Sequence, residues 1–128
     1  MTRSMRVYTG ALATAAMLSA SAAFAQGAPE TFEGQGGQTV FEKVCQACHL
    51  TGGVGWAGAY PALAHNPKLA VAAYPEMVVL KGQNAMPALG GMLSDQQISD
   101  VVNYIQTNLG NEYKPGATPA AVAAMRHR

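Results

Sequence analysis

The sequence predicts an all-α fold of about four short helices, on three observations. No stretch alternates apolar and polar residues for long enough to build a sheet. Ile98, Val101, Val102, Ile105 and Leu109 fall on one helical stripe, opened by the S-x-x-Q pattern Ser94 to Gln97. The 14 glycines and 7 prolines among 128 residues cut the chain into short pieces. This length predicts one domain. With 12% charged residues and a formal charge of +1, the chain is neither a strongly basic nucleic-acid binder nor an acidic disordered tail, so no nucleic-acid partner is expected.

Taken in order, Arg3 and Arg6 precede an Ala-rich apolar run from Val7 to Ala23, and Ala23-Phe24-Ala25 supplies a small-x-small cleavage pattern. Residues 1–25 therefore read as a cleaved secretion signal, with no membrane span left afterwards. Thr9, Gly10, Thr14 and Ser19 interrupt the run, and no charge or aromatic anchor closes it. Removing Arg3 and Arg6 makes the mature chain slightly negative. Residues 26–36 show no apolar period and read as a flexible leader. A first helix is expected from near Gln38, with Val40, Phe41, Val44, Cys45 and Cys48 at helical spacing and His49 closing it. Residues 50–67 then form a long Gly/Pro-rich loop, and loops of that length inside a compact domain are usually functional. A short helix is expected over Lys68–Ala73. Another should begin with Pro75 at its first position, run through Met77, Val78, Val79 and Leu80, and end at Gly82. The best-marked helix follows Ser94, reaches Leu109 and stops at Gly110, with Tyr104 beside its stripe. The main domain thus spans 37–110. Residues 111–128 form a C-terminal extension with a short helix capped by Thr118 and started by Pro119.

Two cysteines cannot build a disulfide framework, but Cys45-Gln46-Ala47-Cys48-His49 is C-x-x-C-H, the attachment pattern of a c-type haem. Thiols three residues apart share a helical face, from which they can add to two vinyl groups on one porphyrin edge while the adjacent imidazole ligates iron. Other readings of the motif are weaker. A thioredoxin-like site needs a preceding strand, and no β-rich run precedes Cys45. A zinc site with His65 requires the neighbours Cys48 and His49 to converge on one small ion. A plain disulfide across so short a loop contributes little and leaves His49 without a role.

A thioether suits the second axial position of an iron that changes oxidation state. Met77 lies on the apolar side of an expected helix and reads as core, and Met125 sits in the tail. Met86 stands in the loop Gln83-Asn84-Ala85-Met86-Pro87, stiffened by Pro87, and is the first candidate. Met92 is the fallback. His65, in the turn His65-Asn66-Pro67, reads as solvated or capping. Trp56 reads equally as a haem-edge shield and as a loop anchor. Lys43, Lys68 and Lys81 form no run, and Gly52, Gly53, Gly55 and Gly58 read as turn residues.

With these residues in view, the chain resembles small class I c-type cytochromes of bacterial, monohaem, His/Met-ligated type, from about Gly37 to Gly110. Gly37 and Phe41 match the family's first helix, Tyr104 its last helix, Leu93-Ser94-Asp95 the approach to that helix, and Met86-Pro87 its distal Met-Pro. Pro61-Ala62-Leu63 matches a Pro-x-Leu segment. The resemblance implies the class I cytochrome c fold around one covalently attached haem c. It implies His49 and Met86 as iron ligands, a Pro61 carbonyl that accepts from His49 Nδ1, and Leu63 against the porphyrin. The tail resembles extensions on cytochrome subunits of bacterial dehydrogenases. The implied function is a periplasmic one-electron carrier, not an enzyme, between a dehydrogenase or respiratory complex and an oxidase or other acceptor. The alternatives are a haem peroxidase and a haem-based sensor, either of which needs an open or displaceable axial position.

Overall fold

Residues 36–128 are described by a computed structural model. The secretion signal expected over 1–25, and all but the last residue of the leader expected over 26–36, lie outside the described residues. Gly37–Val40 and Gln46–His49 are α-helical, and Phe41–Cys45 between them is π-helical, so residues 37–49 form one rod, α1. The π turn widens the helix over a stretch that ends on Cys45, the first of the two cysteines, a distortion found often at functional sites. α2 is Ala73–Lys81, α3 is Asp95–Thr107 and α4 is Pro119–Arg126. Among the described residues, β pairing is confined to two isolated bridges, Trp56 with Tyr60 and Gln83 with Met86.

α1 crosses α3 at Gly37, where a Cβ would collide with the Asp100 carbonyl and stand 2.8 Å from the Tyr104 Cβ. Glycine thus allows the two backbones to touch. One turn on, the rings of Phe41 and Tyr104 meet with centroids 5.6 Å apart and planes tilted by 40°. The α3 stripe supplies Ile98, Val101, Val102 and Ile105 to the core, opposite Val40 and Phe41 of α1, Val79 and Leu80 of α2, and Val122 of α4. Ser94 caps α3: its hydroxyl accepts from Gln97 N–H at 3.2 Å, and Gln97 Oε1 accepts from Ser94 N–H at 2.8 Å.

Three boundaries differ from expectation. In place of a helix over Lys68–Ala73, a single 3₁₀ turn occupies Pro67–Ala70. The Asn66 side chain caps it through Lys68 N–H at 3.0 Å, and Val71 is already extended. α2 begins at Ala73, which places Pro75 third in the helix instead of first. Proline is tolerated there because the N–H groups of the opening turn have no intrahelical acceptor. α3 stops at Thr107, and Leu109 (φ 59°) and Gly110 (φ 75°) both turn left-handed beyond it. The returning chain takes its last carbonyls: Asn111 Nδ2 donates to Ile105 O at 2.8 Å and Tyr113 N–H to Gln106 O at 2.9 Å. No further turn is needed to satisfy them.

Residues after Gly110 pack onto the helices. Asn103 pairs with both backbone groups of Ala117, and Thr118 caps α4 through Ala121 N–H at 3.1 Å. Ala117 and Val122 are buried in the common core. Among the described residues, no helix is long and apolar enough to cross a membrane.

Candidate functional site

His49 ends α1 and is buried, and Leu50 after it turns left-handed at φ 63°. His49 Nδ1 lies 2.9 Å from the Pro61 carbonyl oxygen. A neutral ring that donates from Nδ1 keeps the Nε2 lone pair free for a metal. Pro61 is brought back to α1 by a folded loop: Gly55 N–H donates to His49 O at 2.8 Å, and Leu63 N–H to Gly53 O at 2.8 Å. Gly55 has φ 67°, and a Cβ there would stand 2.6 Å from Tyr60 O, so the loop closes around a residue with no side chain. Asn111 pins the far side by donating to Leu63 O and accepting from Asn66 N–H.

Cys45 is half-buried and Cys48 exposed, and they are not bonded to one another. Burial, with a smaller contribution from Cys48, pushes the Cys45 thiol up to about 11, so it is protonated at neutral pH. Both cysteines lie on a helix, with no strand before them among the described residues. Nor do the described residues gather three or more His, Cys, Asp or Glu side chains into a metal-binding group, as the zinc reading requires.

Across from α1, α2 ends at Gly82, and a tight turn pairs Gln83 with Met86. Cys45, Cys48, His49, Pro61, Leu63 and Met86 all line one cavity of about 520 Å³. Met77, Met92 and Met125 do not line it, and neither does His65, which is exposed and stacked over Gly110. Trp56 is 66% exposed at the turn of the Pro61 loop, away from that cavity.

The cavity fits a flat apolar cofactor attached from one edge. Its size lies in the usual range for small-molecule sites, its wall includes Val44, Val79, Leu89 and Ile105, and it offers two thiols, an imidazole and a thioether. Tyr60, Tyr74 and Gln83 also line it, and Tyr74 OH donates to Gln83 Oε1 at 3.0 Å. None of these three stood out in the sequence, because Tyr60 and Gln83 are isolated in loops and Tyr74, in the first turn of α2, belongs to no apolar period.

A helix that ends in C-x-x-C-H, an imidazole held by a carbonyl, and an apolar cavity within an all-α fold define a small class I c-type cytochrome, whose cofactor is covalent haem c. The family model described as cytochrome c oxidase, cbb3-type, subunit III matches residues 33–105, and the chain belongs to that family. It is 36% identical over 108 residues to the gluconate 2-dehydrogenase cytochrome c subunit of Pantoea cypripedii, covering 73% of this chain and 24% of that protein. It is also 36% identical over 103 residues to the cytochrome c subunit of the quinone alcohol dehydrogenase of Gluconacetobacter polyoxogenes, covering 70% of this chain and 22% of that protein. Cytochrome c6 of Bumilleriopsis filiformis is 40% identical over 75 residues, covering 56% of this chain and 86% of that protein. The chain spans about a quarter of the length of the dehydrogenase subunits that it matches.

Proposed function

We propose that this chain is a periplasmic electron carrier that relays single electrons from a dehydrogenase or respiratory complex to a terminal acceptor. In this reading Cys45 and Cys48 tether the haem, His49 and Met86 hold its iron, and Leu63 packs on the ring. Haem c supplies the one-electron chemistry when bound. The observation that carries the reading is that His49, Met86 and both thiols line one cavity. The Pro61 carbonyl fixes the His49 ring and raises its basicity as a ligand. A thioether opposite it favours reduced iron and a high potential, as suits a late step in a respiratory chain. The likeness to cytochrome subunits of two dehydrogenases supports a dehydrogenase as electron donor. Export rests on Arg3, Arg6 and the Ala23-Phe24-Ala25 pattern.

The test is stopped-flow mixing of the oxidised holoprotein with a reduced quinone-type dehydrogenase and, separately, of the reduced holoprotein with a terminal oxidase. Fast, reversible one-electron exchange is expected in both. Exchange slower than peroxide turnover by the same protein contradicts the carrier reading and favours a peroxidase.

A further inference from the structure

Met86 sits in the strap between α2 and α3, and its own backbone bonds stay inside its turn: Gln83 N–H donates to Met86 O and Met86 N–H to Gln83 O. Tyr74 OH ties the turn directly to α2 through Gln83 Oε1, and otherwise its position depends on the anchors of the strap, whose Leu89 and Leu93 are buried in the core. On one side the anchors belong to α2, where Leu89 N–H donates to Val79 O at 2.9 Å and Gly90 N–H to Leu80 O at 3.2 Å. On the other side stands a single side chain from the C-terminal segment. Arg126, in the last turn of α4, donates through Nη1 to Gly90 O, through Nη2 to Leu93 O at 2.7 Å, and through Nε to the carboxylate of Asp95 at the start of α3.

The packing shows how closely this contact is built. A Cβ on Gly90 would stand 2.7 Å from Leu80 O and 3.1 Å from Arg126 Nη1, so the strap backbone is pressed between α2 and the guanidinium. A planar group with several fixed donors can hold two carbonyls and a carboxylate together, and an ammonium cannot reproduce that fork. α4 is itself secured, because Thr118 N–H donates to Glu76 Oε1 at 3.2 Å and Val122 is fully buried.

We propose that Arg126 is a positioning residue for Met86: it clamps the Gly90 and Leu93 carbonyls to α4 and α3, and so sets how often the strap lifts Met86 away from the iron. The proposal rests on the reading of Met86 as an iron ligand. Carbon monoxide reaches reduced iron only when the strap is open, so its association rate reports the open fraction. Losing all three Arg126 bonds, two of them to the strap, should raise that fraction by about tenfold or more.

The experiment compares holoprotein of the wild type, Arg126→Ala, Arg126→Lys, Val40→Ala and Met86→Ala. It reads carbon monoxide association, the far-red band of thioether-ligated ferric iron, and hydrogen exchange at the Leu89, Gly90 and Leu93 amides. Arg126→Ala is expected to speed association and exchange together and to weaken the band, with Arg126→Lys between it and the wild type. Val40→Ala removes core packing on α1 without removing any Arg126 bond, and should leave association unchanged despite its lower stability. The proposal is overturned if folded Arg126→Ala stays within about twofold of wild type in both rates, a change smaller than one such bond produces. It is also overturned if Val40→Ala accelerates association equally, or, should Arg126→Ala not fold, if Arg126→Lys matches the wild type. Met86→Ala separates the two readings. A band that survives in Met86→Ala sinks the ligation assignment, while hydrogen exchange in the Arg126 variants still decides the clamp.

Discussion

His49 commits one ring nitrogen to the Pro61 carbonyl at 2.9 Å, and its remaining nitrogen is the one residue-level feature that iron chemistry requires. Met86 is proposed as the second ligand because it lines the same cavity and sits in a tight turn. Met86→Ala is therefore expected to abolish the far-red band and lower the reduction potential, while Met92→Ala, 63% exposed in the wild type, leaves both unchanged. Visible spectra and redox titration of the two variants check this. Glu76 offers a second test at this scale. It is 2% exposed, and burial pushes its carboxyl above the usual value, partly opposed by the Thr118 N–H. Below the ordinary carboxylate pKa both folded and unfolded chains hold the proton, and the stability is complete. As pH rises through that value the unfolded chain ionises first, so stability falls until the folded carboxyl has titrated. Glu76→Gln keeps an acceptor for Thr118 N–H and removes the ionisation. Denaturant midpoints across the acid-to-neutral range should flatten, with the variant the more stable at neutral pH.

Among the elements, α3 was legible in full at its start and wrong at its end. Ser94 and Gln97 are local signals, and local physics decides a cap. Ser94→Ala should lower stability by about 1 kcal/mol in equilibrium denaturation. The end of α3 depends on Asn111 and Tyr113 returning to its carbonyls, a long-range event that no helical period records. The same distinction runs through the candidate site. Cys45, Cys48 and His49 announce themselves by spacing, and Met86 by a glycine-ended helix and the proline after it. Asn111, which pins Leu63, and Arg126, which grips the strap, are polar residues acting across 48 and 36 positions of sequence. Gly37 is legible as a glycine and explicable only once α1 and α3 are seen to touch there. Gly37→Ala should separate those helices and destabilise the fold by about 2 kcal/mol or more, as overpacking against backbone does. Thermal unfolding of the holoprotein measures it.

For the whole molecule, a domain of this size buries roughly 60 to 65% of the surface that its unfolded chain exposes, and the macrocycle completes a modest core. Changing both Cys45 and Cys48 to Ala should release the haem to acid-acetone extraction and leave little helical signal in circular dichroism. Without the expected signal the chain is close to neutral and slightly negative, which gives weak long-range steering, so electron exchange with partners should depend only mildly on salt. Above these expectations stands the claim that the iron is held on both sides and serves as a carrier. Rapid mixing of the reduced wild-type holoprotein with carbon monoxide tests it most directly. No carbon monoxide spectrum should develop on the timescale of electron exchange, whereas fast, complete formation of that spectrum would show an open coordination position and contradict the account.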